Sequence, residues 1–286
     1  MTAKLTSPSV VRQLLRDLDI APRKALGQNF LIDANILDCI LTEADLRRDD
    51  RVLEIGPGLG TLTERLAAAA GAVTAVEKDA RLAAFLRQRF HDDPRVAILE
   101  SDFLDLECGA LLREYGITKL VANLPYSSGS RMLVELAQAD EPPELVVVTV
   151  QLEVGERLGA GPGSRDYGLL SVWMQLCYDV AVCRRISPTC FCPRPEVWSA
   201  IVRLRRRAAL PKANRLFFYE LTRYAFTHRR KQLVSIFDHV PGDLHVPAYR
   251  MVELLGRMGQ DARARPENLS VAEWWALAGG LGGKGE

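Results

Sequence analysis

Over the first 200 residues, short apolar runs alternate with helical repeats of apolar positions. Apolar, partly β-branched runs predict buried strands at 52–55, 71–79, 95–99, 119–122 and 144–150. Between these runs, apolar residues recur at helical spacing, as at Leu62 and Leu66 and again within 80–90. Strands that alternate with helices in this way predict an α/β fold with a doubly wound, parallel sheet.

The two ends of the chain have helical patterns instead. A helix is expected within 5–20, after Ser7 and Pro8, and a later strand at 200–204 is followed by a basic, proline-punctuated linker. Helical patterns then cover 216–237, 249–259 and 270–278. We therefore predict two domains, an α/β domain at 1–205 with an N-terminal helical extension and a helical domain at 206–286.

Composition narrows the class of protein. With 48% hydrophobic residues and a mean hydropathy of −0.02, the chain has a globular composition, and no apolar run reaches the length of a membrane span. The N-terminus has no signal-peptide core, so a cytoplasmic location is expected. Among six scattered cysteines only Cys190 and Cys192 are close, which is poor zinc spacing. We expect reduced thiols and no metal site.

A local excess of positive charge is hidden in the net charge of +1. Residues 184–231 contain 13 Lys and Arg against two acids, so the rest of the chain is net acidic. A solvated face is the simple explanation, but so few acids within the block favour a surface for a polyanion.

The segment from Arg51 to Leu66 contains the first candidate binding motif. Gly56, Gly58 and Gly60 follow a predicted strand and precede a predicted helix, which is typical of a turn that brings backbone N–H groups close to a ligand. Glu54 lies inside the end of the strand before the glycines, where a buried carboxylate needs a partner. Glu77 ends the next strand, where a carboxylate suits two ribose hydroxyls. These residues indicate an adenosine-like ligand and leave NAD open.

Two more polar segments follow the same logic. Asp102 comes just past a predicted strand and before Phe103, where it could accept a hydrogen bond from an exocyclic amine or merely cap a helix. The polar Gln28 and Asn29 stand in a segment that we expect to be a loop over a ligand, or an ordinary turn before helix 35–44.

The tetrapeptide Asn123-Leu124-Pro125-Tyr126 follows a further predicted strand. The amide oxygen of Asn123 and a backbone carbonyl held by Pro125 can accept both hydrogens of an aromatic amine, while Tyr126 offers a face for an extruded base. Transfer of a methyl group to such an amine needs alignment and desolvation and no covalent nucleophile. The simpler interpretation is a proline turn with a core tyrosine.

These segments occur together with others in a recognisable order. GQNFL, EIGPGLGTLT, VEKD, SDFL, NLPY, VQLEVGERL, YGLLSV, FCPRPEVWSAIVRL and FTHRRKQL resemble the small-subunit ribosomal RNA adenine dimethyltransferase family over roughly 15–275. The resemblance implies a Rossmann-like methyltransferase domain with a small helical C-terminal domain, and S-adenosylmethionine as methyl donor. It also implies dimethylation of N6 of two adjacent adenosines in a 3′-terminal rRNA hairpin during maturation of the small (30S-type) subunit, by an enzyme that we expect to be monomeric.

The resemblance also assigns roles on the donor side. Asn29 and Leu31 match positions that close over the methionine end, Gly56 lies under the donor, Glu77 matches the ribose ligand and Asp102 the adenine ligand. The complete predicted donor-binding set is Gln28, Asn29, Leu31, Glu54, Gly56, Gly58, Gly60, Glu77, Lys78, Asp102, Phe103 and Asn123.

On the target side, Asn123 matches the first residue of the amine-binding tetrapeptide, Tyr126 the residue that stacks on the target base, and Phe191 a ring on the other face of that base. The predicted catalytic set is Asn123, Leu124, Pro125, Tyr126 and Phe191, and the predicted RNA-binding set is Arg194, Arg229, Arg230 and Lys231.

The chain departs from the family pattern at Ser127–Arg131, Leu152 and Glu196, which concerns the rim of the target pocket and the RNA face. One alternative is the related large-subunit rRNA adenine methyltransferase that confers macrolide resistance. Another is a non-catalytic nucleic-acid-binding factor with the same fold. An NAD-dependent oxidoreductase is disfavoured because no histidine falls beside a predicted strand end.

Overall fold

The structure, a computed structural model, describes residues 5–20, 29–208, 215–240 and 242–281. Gln28, which belongs to the predicted set of residues that bind the methyl donor, lies outside these residues. Backbone contacts divide the chain into two compact units, one of Met1–Gly155 with Asp179–Arg206 and the other of Glu156–Tyr178 with Arg207–Glu286.

The described strands are β1 (Phe30–Leu31), β2 (Arg51–Ile55), β3 (Ala72–Glu77), β4 (Val96–Glu100), β5 (Lys119–Asn123), β6 (Leu145–Gln151), β7 (Tyr178–Ile186), β8 (Phe191–Cys192) and β9 (Ser199–Arg206). Seven of them form one sheet in the order β4-β3-β2-β5-β6-β9-β7, and β1 pairs with β8 in a separate antiparallel ladder. The first five strands of the large sheet are parallel and β9 runs antiparallel to β6. All five strands predicted in the first 150 residues are present, within a few residues of the predicted bounds.

The order of the strands determines where a ligand can bind. From β2 the chain proceeds outward through β3 to β4, then returns to the other side of β2 with β5 and β6. The connections on the two sides of the boundary between β2 and β5 therefore diverge, which opens a crevice at the carboxyl ends of these strands. The glycine turn follows β2, and the tetrapeptide begins at the last residue of β5.

The described helices of the first unit are α1 (Pro8–Asp17), α2 (Ala34–Ala44), α3 (Thr61–Ala69), α4 (Ala80–Arg89), α5 (Cys108–Glu114) and α6 (Gly129–Gln138), and α7 (Leu152–Gly159) begins at its border. Ile40 of α2 and Leu66 of α3, both fully buried, pack with Val52, Val121 and Val147 of the sheet. Burial of these apolar side chains holds the glycine turn between a strand and a helix that are both fixed in the core.

The N-terminal helix packs against residues near the turn. Val11 and Leu15 of α1 are buried with Leu59, Leu82 and Cys192. The helix begins at Pro8, where the missing N–H is harmless, as the sequence predicted.

In the second unit, the described helices after α7 are α8 (Leu169–Cys177), α9 (Arg215–Thr227), α10 (Leu233–Asp238), α11 (Ala248–Arg257) and α12 (Val271–Leu281). The indole N–H of Trp173 donates to Thr222 Oγ1 over 2.8 Å, which joins α8 to α9. This internal packing explains why 156–178 group with the C-terminal residues, although the sequence-based division placed them in the first domain.

One helix of the second unit is interrupted where the sequence predicted continuity. The pattern over 216–237 predicted a single helix, but α9 ends at Thr227 and α10 begins at Leu233. The backbone N–H of Leu233 donates to the carbonyl of Ala264 over 2.9 Å instead of continuing the helical ladder, and Lys231 N–H closes a turn on His228 O. The N–H of Leu233, the first residue of α10, is thus satisfied by a distant segment of the second unit. No helix among the described residues is both long and apolar enough to span a membrane.

Candidate active site

The turn after β2 is built on glycines in the left-handed region. Gly56, Gly58 and Gly60 have φ values of 70°, 58° and 78°, a conformation that is costly for residues with a Cβ. A Cβ on Gly58 would stand 2.9 Å from the ring of Phe30, whereas a Cβ on Gly60 would meet the side chain of Leu86 at 2.8 Å. Gly58 therefore lets an aromatic ring approach the turn, and Gly60 serves the packing of α3 against α4.

A cavity of about 380 Å³ lies at the carboxyl ends of the strands. Its walls include ten residues of the predicted donor-binding set, namely Asn29, Leu31, Glu54, Gly56, Gly58, Glu77, Lys78, Asp102, Phe103 and Asn123. Leu124 and Pro125 of the tetrapeptide also line it, while Gly60 does not. Residues far apart in sequence thus converge on one crevice, at the place where this sheet topology opens.

Glu77 is held by the backbone of two neighbouring loops. Its Oε2 accepts the N–H of Gly58 over 3.0 Å and its Oε1 accepts the N–H of Asp79 over 2.9 Å. Burial raises the pKa of the Glu77 carboxyl, and the two backbone donors act against that shift. Each carboxyl oxygen keeps a lone pair for a further donor, so the side chain is fixed and still able to accept hydrogen bonds.

Glu54 has a different environment, although it also borders the cavity. The side chain is only 1% exposed, and its Oε2 accepts a hydrogen bond from Thr63 Oγ1 over 2.6 Å. Burial raises the pKa of Glu54 to about 8, opposed by the Thr63 hydroxyl and reinforced by the nearby Glu77. At neutral pH a protonated Glu54 therefore links the end of β2 to α3 across the glycine turn.

Asp102 combines the two roles that the sequence left open. Its Oδ1 accepts the N–H of Leu104 over 3.0 Å as a helix cap, and its Oδ2 lies 2.5 Å from the ammonium of Lys78. The hydrogen bond from Lys78 holds the pKa of Asp102 below its usual range, and the charge of Arg131 contributes to this shift. The carboxylate is ionised at the cavity wall, and a ligand amine would compete with Lys78 for its outer oxygen.

Asn123 at the end of β5 has one satisfied and one unsatisfied side-chain atom. Its Nδ2 donates to the backbone carbonyl of Asn29 over 2.9 Å, and because a carbonyl only accepts, this bond fixes the orientation of the amide. Its Oδ1 is buried and has no hydrogen-bond partner among the described residues. Such an atom is costly in a folded protein and is expected where a ligand supplies the missing donor.

Tyr126 and Phe191 come together, but with their rings nearly perpendicular, and neither lines the cavity that Asn123 lines. The ring centroids are 6.4 Å apart with an interplanar angle of 74°. The hydroxyl of Tyr126 is hydrogen-bonded to Ser199 Oγ, and burial raises the pKa of the phenol. Phe191 is 3% exposed, so in this arrangement the two rings do not form the parallel walls of a base sandwich.

The predicted RNA-binding cations fall into two environments. Arg194 is exposed on the rim of a second cavity of the first unit, of about 790 Å³, which is also lined by Arg12 and Arg16. In the second unit, Arg230 and Lys231 are exposed.

Arg229 differs from its neighbours. Its guanidinium pairs with Glu267 and donates to the carbonyl of Arg165 over 2.9 Å, which ties it to two other segments of its own unit.

Several residues of the site were not singled out from the sequence. Thr63 and Ser199 supply the hydroxyls that hold Glu54 and Tyr126, and Phe30 covers Gly58. Ser127 and Arg131, which were expected at the rim of the target pocket, line the donor-side cavity. Within the described part of the chain, no group of three or more His, Cys, Asp or Glu could hold a metal ion.

Comparison with known proteins relates this arrangement to a family. The sequence model described as ribosomal RNA adenine dimethylase matches residues 21–265. The chain belongs to this family. It is 42% identical to the ribosomal RNA small subunit methyltransferase A of Pelotomaculum thermopropionicum, over 96% of each chain. The family predicted from the motifs is confirmed.

Solved structures give the same fold. A dimethyladenosine transferase from Plasmodium falciparum superposes with a TM-score of 0.73 at 24% identity, over 86% of this chain and 94% of that one. The 23S rRNA methyltransferase ErmE superposes with a TM-score of 0.67 at 28% identity, over 89% of this chain and 100% of that one. The predicted α/β methyltransferase fold with its helical C-terminal part is thereby confirmed.

Proposed function

We propose that this protein transfers methyl groups from S-adenosylmethionine to N6 of adenines in small-subunit ribosomal RNA, two methyl groups to each base. The observation that carries the proposal is the buried, unpartnered Oδ1 of Asn123 at the end of β5, beside a cavity lined by acidic and glycine residues. The family, and the similarity to the ribosomal RNA small subunit methyltransferase A of Pelotomaculum thermopropionicum, support the same reaction and the same rRNA.

The residues of the cavity fit the donor. The Glu77 carboxylate, fixed by Gly58 and Asp79, would accept hydrogen bonds from both hydroxyls of a ribose. The ionised Asp102 would accept a hydrogen bond from the amine of an adenine. The turn at Gly56–Gly60 presents backbone at the start of α3, and Phe30 and Phe103 add apolar walls. When bound, S-adenosylmethionine supplies an electrophilic methyl carbon on a sulfonium sulfur.

The tetrapeptide would hold the target amine. Asn123 Oδ1 and the backbone carbonyl of Leu124 would accept its two hydrogens, and Pro125 restricts the backbone that carries the second acceptor. Hydrogen bonds to both hydrogens turn the nitrogen lone pair toward the methyl carbon, so the gain comes from alignment in a dry site. In each transfer the amine nitrogen would form a bond to the methyl carbon, the carbon–sulfur bond would break with its electron pair left on sulfur, and the extra proton on nitrogen would pass to solvent water.

Tyr126 would contact the flipped base. Its hydroxyl is hydrogen-bonded to Ser199 Oγ, which holds one end of the ring, and its ring packs edge-to-face with Phe191. A base placed between Tyr126 and Phe191 would require the rings to turn from their present angle of 74°.

The substrate in the cell would be rRNA within a partly assembled small subunit, with two adjacent adenosines of the 3′-terminal hairpin as targets. We propose that the enzyme acts in the cytoplasm as a monomer, and that Arg194, Arg230 and Lys231 contribute phosphate contacts. These cations are exposed, unlike Arg229, whose charge is used within its own unit.

Methyl transfer from labelled S-adenosylmethionine to small subunits that lack the modification tests the proposal. The expected product, identified by mass after digestion, is N6,N6-dimethyladenosine in small-subunit rRNA. Label in large-subunit rRNA alone would show instead that the protein is a 23S rRNA methyltransferase, like ErmE. Donor binding without label in either RNA would favour a non-catalytic binding factor, and absence of donor binding would refute the assignment of the cavity.

The role of Asn123 has its own test. Asn123→Ala should bind S-adenosylmethionine within several-fold of the unmodified protein and lose at least a hundredfold in turnover, because it removes an acceptor that aligns the amine. Asn35→Ala, at an exposed position of α2, is the matched control and should leave both quantities unchanged. Turnover of Asn123→Ala close to that of the control would exclude the proposed role.

A further inference from the structure

Thr149, on the strand next to Asn123, also has a buried polar atom without a partner. The residue is fully buried within β6, and its Oγ1 has no hydrogen-bond partner among the described residues. In a helix, a threonine hydroxyl can donate to the backbone carbonyl three or four residues earlier, but a strand places no such carbonyl within its reach. Valine would fill the same volume without the cost of an unpaired hydroxyl.

The register places this hydroxyl beside the amide of the site. Asn123 and Thr149 are direct partners in the parallel pairing of β5 with β6, so their side chains project from the same face of the sheet. The backbone confirms the proximity, because the N–H of Leu124 donates to the carbonyl of Thr149 over 3.1 Å. The two unsatisfied atoms thus belong to neighbouring side chains.

The two atoms are chemically complementary. Asn123 Nδ2 is committed to the carbonyl of Asn29, so Oδ1 can only accept. The hydroxyl of Thr149 can donate a hydrogen. Since an amide oxygen has two lone pairs, a bond from Thr149 would leave one lone pair of Asn123 Oδ1 for a substrate amine.

We propose that Thr149 is a positioning residue for methyl transfer, with its hydroxyl donating to Asn123 Oδ1, directly or through one water molecule, when the target amine binds. With Asn29 O at one end of the amide and Thr149 at the other, the plane of the Asn123 side chain would then be fixed around the bound amine. Thr149 does not line the cavity, so it would act through Asn123 and not on the substrate. This inference rests on the proposed function, in which Asn123 aligns the amine.

The test compares Thr149→Val, which removes the hydroxyl at constant shape, with Thr149→Ser, which retains it. In methylation of small subunits, Thr149→Val should lower kcat about five- to tenfold, as expected for one lost hydrogen bond, with the KM for S-adenosylmethionine unchanged. Thr149→Ser should recover most of the loss. Thr74→Val, at a buried threonine of β3, is the control and should keep the normal kcat.

Stability measurements separate positioning from a structural role. Since the hydroxyl is unpaired in the free protein, Thr149→Val should unfold at the same urea concentration as the unmodified protein or at a higher one. A normal kcat in Thr149→Val, or a loss that Thr149→Ser fails to recover, would overturn the inference. Loss of kcat together with lower stability would show a packing role and overturn it too. The unmodified protein reports separately on the proposed function, which fails if that protein gives no methylated small-subunit rRNA.

Discussion

Replacement of Glu54 by glutamine should change how the stability of the first unit depends on pH. Glu54 is 1% exposed and its pKa is raised from 4.5 to about 8, first by burial and further by Glu77, against the hydrogen bond from Thr63. The folded state therefore holds a proton on Glu54 at pH values where the unfolded chain has released it. Stability is unaffected by this group below about pH 4.5 and falls as the pH rises from there to about 8.

The magnitude follows from the size of the shift. Each pH unit between the two pKa values lowers the free energy of unfolding by on the order of 1 kcal/mol, hence by several kcal/mol over the whole window. Glutamine has nearly the same shape, can still accept the Thr63 hydroxyl hydrogen and does not titrate. The gain in stability of Glu54→Gln over the unmodified protein should therefore be small at pH 5 and increase steadily to pH 8.

Urea titrations at several pH values, each followed by a short hydrogen-exchange pulse at one fixed pH and mass spectrometry, would report on the segment that contains β2 and β3. This local readout matters because the chain has two units and need not unfold in one step. Glu114→Gln, at an exposed position of α5, should show the same pH dependence as the unmodified protein. A stability difference between Glu54→Gln and the unmodified protein that does not vary from pH 5 to 8 would refute the reasoning.

Two other sets of substitutions separate functional from structural positions. Gly58→Ala should weaken S-adenosylmethionine binding at least tenfold by calorimetry, because a Cβ there would displace the Phe30 ring from the wall of the cavity. Gly60→Ala should mainly lower the free energy of unfolding, by about 1–2 kcal/mol, because of the positive φ at Gly60 and its contact with Leu86. Equal effects of both on binding would contradict this division. Neutralising Arg230 and Lys231 together should weaken rRNA binding and reduce the slope of log K against log salt by about one per cation, while Arg229→Ala should instead destabilise its unit. An unchanged salt slope in the double variant would place the RNA surface elsewhere.

The sequence predicted the strands and the convergence of the site for a physical reason. Parallel strands buried on both faces need continuous apolar runs, so Val52–Ile55 and Glu144–Val150 were visible without any knowledge of the fold. Once the strands and their connections are known, the polar residues that follow them must lie at one edge of the sheet. Glu77, Asp102 and Asn123 were found in this way, and all three line one cavity.

What the sequence did not predict depends on pairing between distant segments. The break after Thr227 is accompanied by a hydrogen bond from Leu233 N–H to Ala264 O, and no local pattern contains that pairing. Thr149 reads as one more β-branched residue of a central strand, and only the register beside Asn123 distinguishes it. Likewise, the position of Asp102 predicted equally well a helix cap or a residue that binds a ligand. In the structure Asp102 caps the short helix that follows it and also lines the cavity.

Glu54 and Glu77, the two carboxyl groups next to the glycine turn, differ in protonation because they have different surroundings. Burial raises the pKa of Glu54 to about 8, with a further contribution from the charge of Glu77 and only the Thr63 hydroxyl acting against it, so Glu54 is neutral at pH 7. Glu77 accepts two backbone N–H groups, which oppose the effect of burial on its pKa and favour its ionised form. A proton on Glu54 removes one of two negative charges that would otherwise repel each other across the turn. The protonated neighbour thus helps Glu77 to remain an acceptor for ribose hydroxyls, and the hydrogen bond from Thr63 holds that neighbour in place.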